Sequence, residues 1–150
     1  MQLEVTREMM AGGDLLRHLV EHFKEEPSRE HISLLLNCLR DSMLFIPVTI
    51  KENEEGKLEM LPDLLDSNGE LFFPVFSRAE EMGSYGENFS KAERSFEEIA
   101  GYVKNDNRVS GIVLDAFSNY FVLSKEYIDI ALSMPSRIVE RKTQQKEKQK

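Results

Sequence analysis

Glu70-Leu-Phe-Phe-Pro-Val-Phe-Ser-Arg-Ala-Glu-Glu-Met82 is the stretch that decides the fold. Between Leu71 and Ser77 it carries three phenylalanines, a valine and a leucine, a density that suits a strand covered on both faces. Ser77 stands three residues before Glu80, the spacing of a capping box. The stretch therefore predicts an interior strand running into a capped helix that begins at Arg78 and is kept short by Gly83 and Gly86. Pro74 inside the strand demands a bulge or an unpaired amide position.

Working upstream, Asp66-Ser-Asn-Gly69 is a strong turn signal, preceded by a weaker strand from Leu58 to Leu65 that Pro62 interrupts. Met43 to Ile50 reads as another strand, and Pro47 within it points to an edge or a bulge. Ser28 caps a helix over residues 29–42 whose apolar positions cover most of its circumference. Asp14 is placed as the cap of a first helix, 14–26, with Leu15, Leu16, Leu19, Val20 and Phe23 on one face. That face is expected to dock on its own sheet or across a twofold onto a second copy.

Downstream, Ser90 and Glu93 have the spacing of a second capping box, so a helix is expected from Ser90 with Ala92, Phe96, Ile99, Ala100 and Val103 as its stripe. Gly111 to Asp115 and Tyr120 to Leu123 are strands joined by a tight hairpin-like connection at Phe117-Ser-Asn119. Ser124 caps a last helix, with Tyr127, Ile128, Ala131 and Leu132 inward. The expected fold is α+β, an α/β sandwich. An about five-stranded mixed, mostly antiparallel sheet packs with four to five helices. Residues 1–27 are expected to form an N-terminal helical extension, 28–134 the α/β domain, and 135–150 a basic tail that is disordered or a frayed helix.

The totals bound the function. The 150 residues carry a net charge of −8, and residues 137–150 alone carry +4, which leaves −12 on the rest. An acidic body disfavours nucleic acid. One cysteine, Cys38, excludes an internal disulfide framework and suits a reducing compartment. No apolar run is long enough to span a membrane, and the first residues lack the basic start and apolar core of a secretory signal. The protein is expected to be cytoplasmic.

The pairing of Leu71-Phe-Phe-Pro-Val-Phe-Ser-Arg-Ala-Glu-Glu-Met82 with Gly111-Ile-Val-Leu-Asp-Ala-Phe-Ser-Asn-Tyr-Phe-Val-Leu-Ser-Lys-Glu-Tyr-Ile128 resembles the SseB protein N-terminal domain family. Leu34 to Val48, with its Ile-Pro-Val, fits the same pattern, and the resemblance covers about residues 28–133. It implies a small cytoplasmic bacterial domain of unestablished biochemical activity, and brings no catalytic residues. Where the family turn often has Asn-Pro, this chain has Asp115-Ala116.

His18-Leu-Val-Glu-His22 matches an inverted zinc-peptidase pattern, with both histidines one helical turn apart. The third ligand and substrate chamber are missing from the pattern, so His18 and His22 are weak metal candidates and no metal or cofactor is expected. Cys38 lies on the most apolar helix and is read as buried and inert. No phosphate loop and no serine or cysteine triad stands out. The sequence points to a noncatalytic protein-interaction or regulatory module, with a protein partner or a homodimer. Asp115, Phe117 and Asn119 in the turn and Leu15, Leu19 and Phe23 on the first helix are its candidate contact residues. The alternative is a small-molecule-binding protein or hydrolytic enzyme with a pocket near Pro74–Ser77 and Asp115.

Overall fold

The computed structural model describes residues 6–138; most of the expected basic tail lies outside them. Thr6 caps a short helix α1 (Arg7–Met10) by accepting the Met9 N–H at 3.3 Å. A 3-10 turn, Ala11–Gly13, leads to α2 (Asp14–Glu25) and α3 (Arg29–Arg40). The strands β1 (Met43–Glu52), β2 (Leu58–Pro62), β3 (Leu65–Ser67) and β4 (Glu70–Val75) follow. A 3-10 segment, Ala79–Asn88, then precedes β5 (Ser90–Ser95) and α4 (Phe96–Lys104). The described chain closes with β6 (Val109–Leu114), β7 (Phe121–Ser124) and α5 (Lys125–Ser133).

The class is the expected α+β, with seven strands among the described residues rather than about five, in sheets ordered β2-β1-β5 and β3-β4-β6-β7. Four of the ladders are antiparallel, and β4 with β6 is parallel. The phenylalanine-rich strand is interior: Phe73, Val75 and Phe76 are buried between neighbours on both edges. Each such side chain contributes about 2 kcal/mol of transfer free energy. Leu35 and Leu39 of α3, Ile99 and Val103 of α4 and Ile128 of α5 join Phe73 and Val75 in one core with Leu44, Ile46, Ile112 and Leu114. Leu16 and Val20 of α2 belong to the same cluster, so the first helix is packed onto its own chain.

The prolines explain how the two sheets join. Phe45 and Phe76 exchange both backbone hydrogen bonds at 2.9 Å, which ties β1 to the end of β4. Beyond that bridge the same edge of β1 passes to β2, and the same edge of β4 is held by β3 as far as Phe72. Pro47 and Pro74 stand in these two changeovers, where a missing N–H costs no ladder bond. Pro47 still accepts from the Asp63 N–H at 3.0 Å. The expectation that Pro47 marks an edge strand or a bulge is therefore corrected: β1 is the middle strand of its sheet, and its pairing with β5 runs in unbroken register through Pro47. Asn68 and Gly69, at φ 54° and 88°, form the two-residue turn between β3 and β4. Both central φ values are positive, as the hairpin turn that follows strand twist requires.

Three helix starts differ from expectation. Ser90–Ser95 is a strand, not the first turn of a helix, because it fills the open edge of β1 and buries Ala92 opposite Ile46. The Ser-x-x-Glu spacing recurs at Ser95 and Glu98, and this copy adjoins the apolar stripe. Ser95 accepts the Glu98 N–H at 3.2 Å and caps α4. Ser77 caps nothing; the 3-10 segment begins after Arg78 without a side-chain cap. Asp14 is the first residue of α2, preceded by Gly13 in a left-handed conformation. Ser28 and Ser124 cap α3 and α5 as expected, accepting the His31 and Tyr127 N–H groups.

Candidate functional site

In a parallel pair both strands end on the same side, and side chains just past those ends converge. Here the converging residues are Ser77 and Asp115. The Ser77 N–H donates to Asp115 Oδ1 at 2.9 Å, and Ser77 Oγ donates to Asp115 Oδ2 at 2.8 Å. Both residues are buried. Asp115 holds φ at 50°, in the left-handed region that Asp and Asn tolerate better than most side chains. That turn folds the chain into the β6–β7 connection, where the Ser118 N–H reaches the Asp115 carbonyl at 3.1 Å.

The N-terminal segment locks onto this node. One Arg17 nitrogen donates to Ser77 Oγ at 3.0 Å and to the Gly12 carbonyl at 2.8 Å, while the other pairs with Asp14. Gly13 lies so close that a Cβ there would come within 2.6 Å of the Ser77 carbonyl oxygen. On the outer side, Ser118 Oγ donates to Glu81 at 2.8 Å, and Arg78 pairs with the same carboxylate at 3.0 Å. A hollow of about 260 Å³ lies between them, lined by Arg17, Glu21, Glu81, Asp115, Ser118 and Asn119.

Burial raises the Asp115 carboxyl above the ordinary range, against the Ser77 hydrogen bonds, and the nearby Glu81 charge pushes the same way. Glu81 is held low, chiefly by the Ser118 hydroxyl and then by Arg78, although its burial opposes them. Chemically the node is closed. The Ser77 proton points at a carboxylate, and a Ser77 lone pair is taken by Arg17. The pair holds the strand ends together.

Phe117 stacks on Phe76 at 5.9 Å and meets Tyr85 at 5.0 Å, yet 54% of it stays exposed. Asn119 accepts from Lys24 at 2.8 Å, and the same ammonium lies 4.6 Å from the Tyr120 ring centre. Phe23 meets Phe121 edge-on at 5.9 Å. The turn and the helix α2, singled out separately in the sequence, thus touch through Lys24, and Phe23 adds a contact to the start of β7. Leu15, Leu19 and Phe23 are half-buried against the core.

The rings of His18 and His22 are 4.4 Å apart, and His31 follows at 6.0 Å from His22. Among the described residues, no three His, Cys, Asp or Glu side chains are arranged to hold a metal ion. Sequence reasoning missed Arg17, Lys24, Glu81 and Ser118, whose partners lie far away along the chain. No helix among the described residues is long and apolar enough to cross a membrane.

Comparison with known proteins agrees with the pattern on which this site stands. The model of the SseB protein N-terminal domain matches residues 16–129, from the first helix through both strand ends and the turn. No curated protein and no solved structure gives a significant match.

Proposed function

The chain belongs to the SseB protein N-terminal domain family, and from that premise we propose that it is a noncatalytic protein-interaction module. The observation that carries this reading is the turn at residues 115–120. Phe117 and Tyr120 are each 54% exposed, on a turn fastened from beneath by the Ser77–Asp115 bonds and from the side by Lys24. Rigid aromatic side chains offered to solvent lose little entropy on binding and make strong contact anchors. The acidic body selects a basic partner and repels nucleic acid. The lone buried Cys38 supports a cytoplasmic setting.

The test is quantitative affinity capture from the native cell extract with the wild-type chain and with Phe117→Ala/Tyr120→Ala. Circular dichroism first establishes that both are folded. Proteins enriched on the wild type and lost on the double variant are expected. Identical captured sets, or none above background, would defeat the reading.

A second reading is supported by the hollow beside Asp115: a small-molecule-binding protein, whose three acidic lining residues, Glu21, Glu81 and Asp115, suit a small cationic ligand. The mutual commitment of Ser77, Asp115 and Arg17 argues against a hydrolytic enzyme there.

A further inference from the structure

We propose that β2 is the seam of a homodimer, joining two copies edge to edge about a twofold axis through Met60. β2 is the outer strand of its sheet, and all five of its residues are exposed. The Asp63 N–H and the Lys57 carbonyl both bond toward β1, so the alternating backbone groups of Leu58, Met60 and Pro62 face outward. They offer a free ladder to another strand.

The sequence selects the register. Pro62 has a carbonyl but no N–H. A twofold through Met60 pairs Met60 with its own copy and Leu58 with the other copy's Pro62. Two bonds form between the Met60 residues, and each Leu58 N–H finds a Pro62 carbonyl. A twofold through Pro62 would face two prolines without donors, and one through Leu58 would run into the turn at Gly56. The same register sets Lys57 opposite Asp63 of the other copy, twice, which is charge complementarity built into the strand ends. The Asn53 amide holds the Glu59 carboxylate at 3.0 Å, and the Tyr85 hydroxyl holds that of Asp63 at the strand end.

The apolar face asks for the same occupant. Leu58, Met60 and Pro62 lie on one face with Ile50 and with the buried Val48 and Ile46. This is the core face of the sheet extended past α4, with Leu58 76%, Ile50 48% and Met60 42% exposed. It borders a cleft of about 460 Å³ floored by Val48 and Phe73 and walled by Met60, Pro62, Leu64 and Tyr102. In the dimer, Leu58 of the second copy lies beside Pro62 at the mouth of that cleft. The other long edge is built to refuse such pairing: β5 presents the exposed charges Lys91 and Glu93 on either side of the buried Ala92.

Sedimentation velocity on the full chain over roughly 1–100 µM tests this by mass action. The wild type is expected to dimerise with rising concentration. Met60→Lys is expected to stay monomeric throughout, and Glu93→Gln, on the far edge of the sheet, to dimerise like the wild type. Lys57→Glu is expected to weaken the dimer several-fold at low salt and less at high salt. Thermal melts at a concentration where all are monomeric show that each variant is folded. A wild type that remains monomeric, or a dimer that Met60→Lys leaves intact, overturns the proposal.

Discussion

Ser77 and Asp115, 38 residues apart in the chain, are bonded twice, through the Ser77 N–H at 2.9 Å and its hydroxyl at 2.8 Å. The double bond closes the carboxyl ends of the parallel strands β4 and β6. Replacing Asp115 with Ala leaves a buried N–H and hydroxyl without their acceptor and puts a Cβ residue with no polar compensation at positive φ. Asp115→Ala is expected to lower unfolding free energy by about 2–4 kcal/mol. Asp115→Asn, which retains an acceptor and tolerates the conformation, should cost about half as much. Urea denaturation of the two variants checks both the size and the order.

The same carboxyl sets a pH dependence. Burial raises it above the ordinary value, more than the Ser77 hydrogen bonds lower it. A group that holds its proton more tightly when folded stabilises the fold below its unfolded pKa, near about 4 for Asp. That contribution is lost as pH rises through the higher folded value. The stability of the wild type relative to Asp115→Asn is therefore expected to be greater at about pH 4 than at pH 7. Paired denaturation curves at the two pH values measure it. A difference of the opposite sign would mean that the Ser77 bonds outweigh burial.

Gly13 is where the N-terminal segment meets the node. It holds φ at 73°, and a Cβ would lie 2.6 Å from the Ser77 carbonyl oxygen and 2.9 Å from the Ser77 Cβ. Gly13→Ala adds a left-handed conformational penalty to a clash with backbone that cannot yield without moving β4. A loss of about 2 kcal/mol or more is expected. Hydrogen exchange at the Ser77 and Asp115 amides should rise with it, because Arg17 would be displaced.

How much of this was legible in the sequence depends on the range of the cause. Helices α2, α3 and α5 were legible because their stripes and their Ser28 and Ser124 caps are local signals. The interior placement of Phe73, Val75 and Phe76 was legible because burial on two faces needs a continuous apolar run. Strand β5 was not, since Ser90–Ser95 is extended only because β1 offers it an open edge. The role of Ser77 was hidden by a capping-box spacing that is cheap to meet by chance. Its partners lie 38 and 60 residues away, at Asp115 and Arg17. The turn residues Asp115, Phe117 and Asn119 were singled out, but not the Lys24 bond that ties them to α2.

The two Ser-x-x-Glu spacings give a direct comparison. Ser95 accepts the Glu98 N–H and caps α4, whereas Ser90 is an exposed strand residue. Ser95→Ala is expected to cost about 1 kcal/mol. Ser90→Ala should stay within about 0.5 kcal/mol of the wild type. Thermal unfolding of the two single variants distinguishes them, and equal losses would place the start of the helix at Ser90 after all.

Cys38 provides a chemical probe of the core itself. Its thiol is buried on α3, with its sulfur 3.8 Å from that of Met10. Burial pushes its pKa up to about 12, against the Ser42 hydrogen bond and with the Asp41 charge adding to the rise. Thiol reagents attack the thiolate, which is scarce at neutral pH and screened from solvent here. Native protein is therefore expected to take up almost no Ellman's reagent at neutral pH, and guanidinium-unfolded protein to take up one equivalent. Because Met10 ends α1 against this thiol, Gly13→Ala should also speed native-state labelling if it loosens the N-terminal segment. Unchanged labelling in a destabilised Gly13→Ala would mean that α1 stays docked on α3 after its tie to Ser77 is broken.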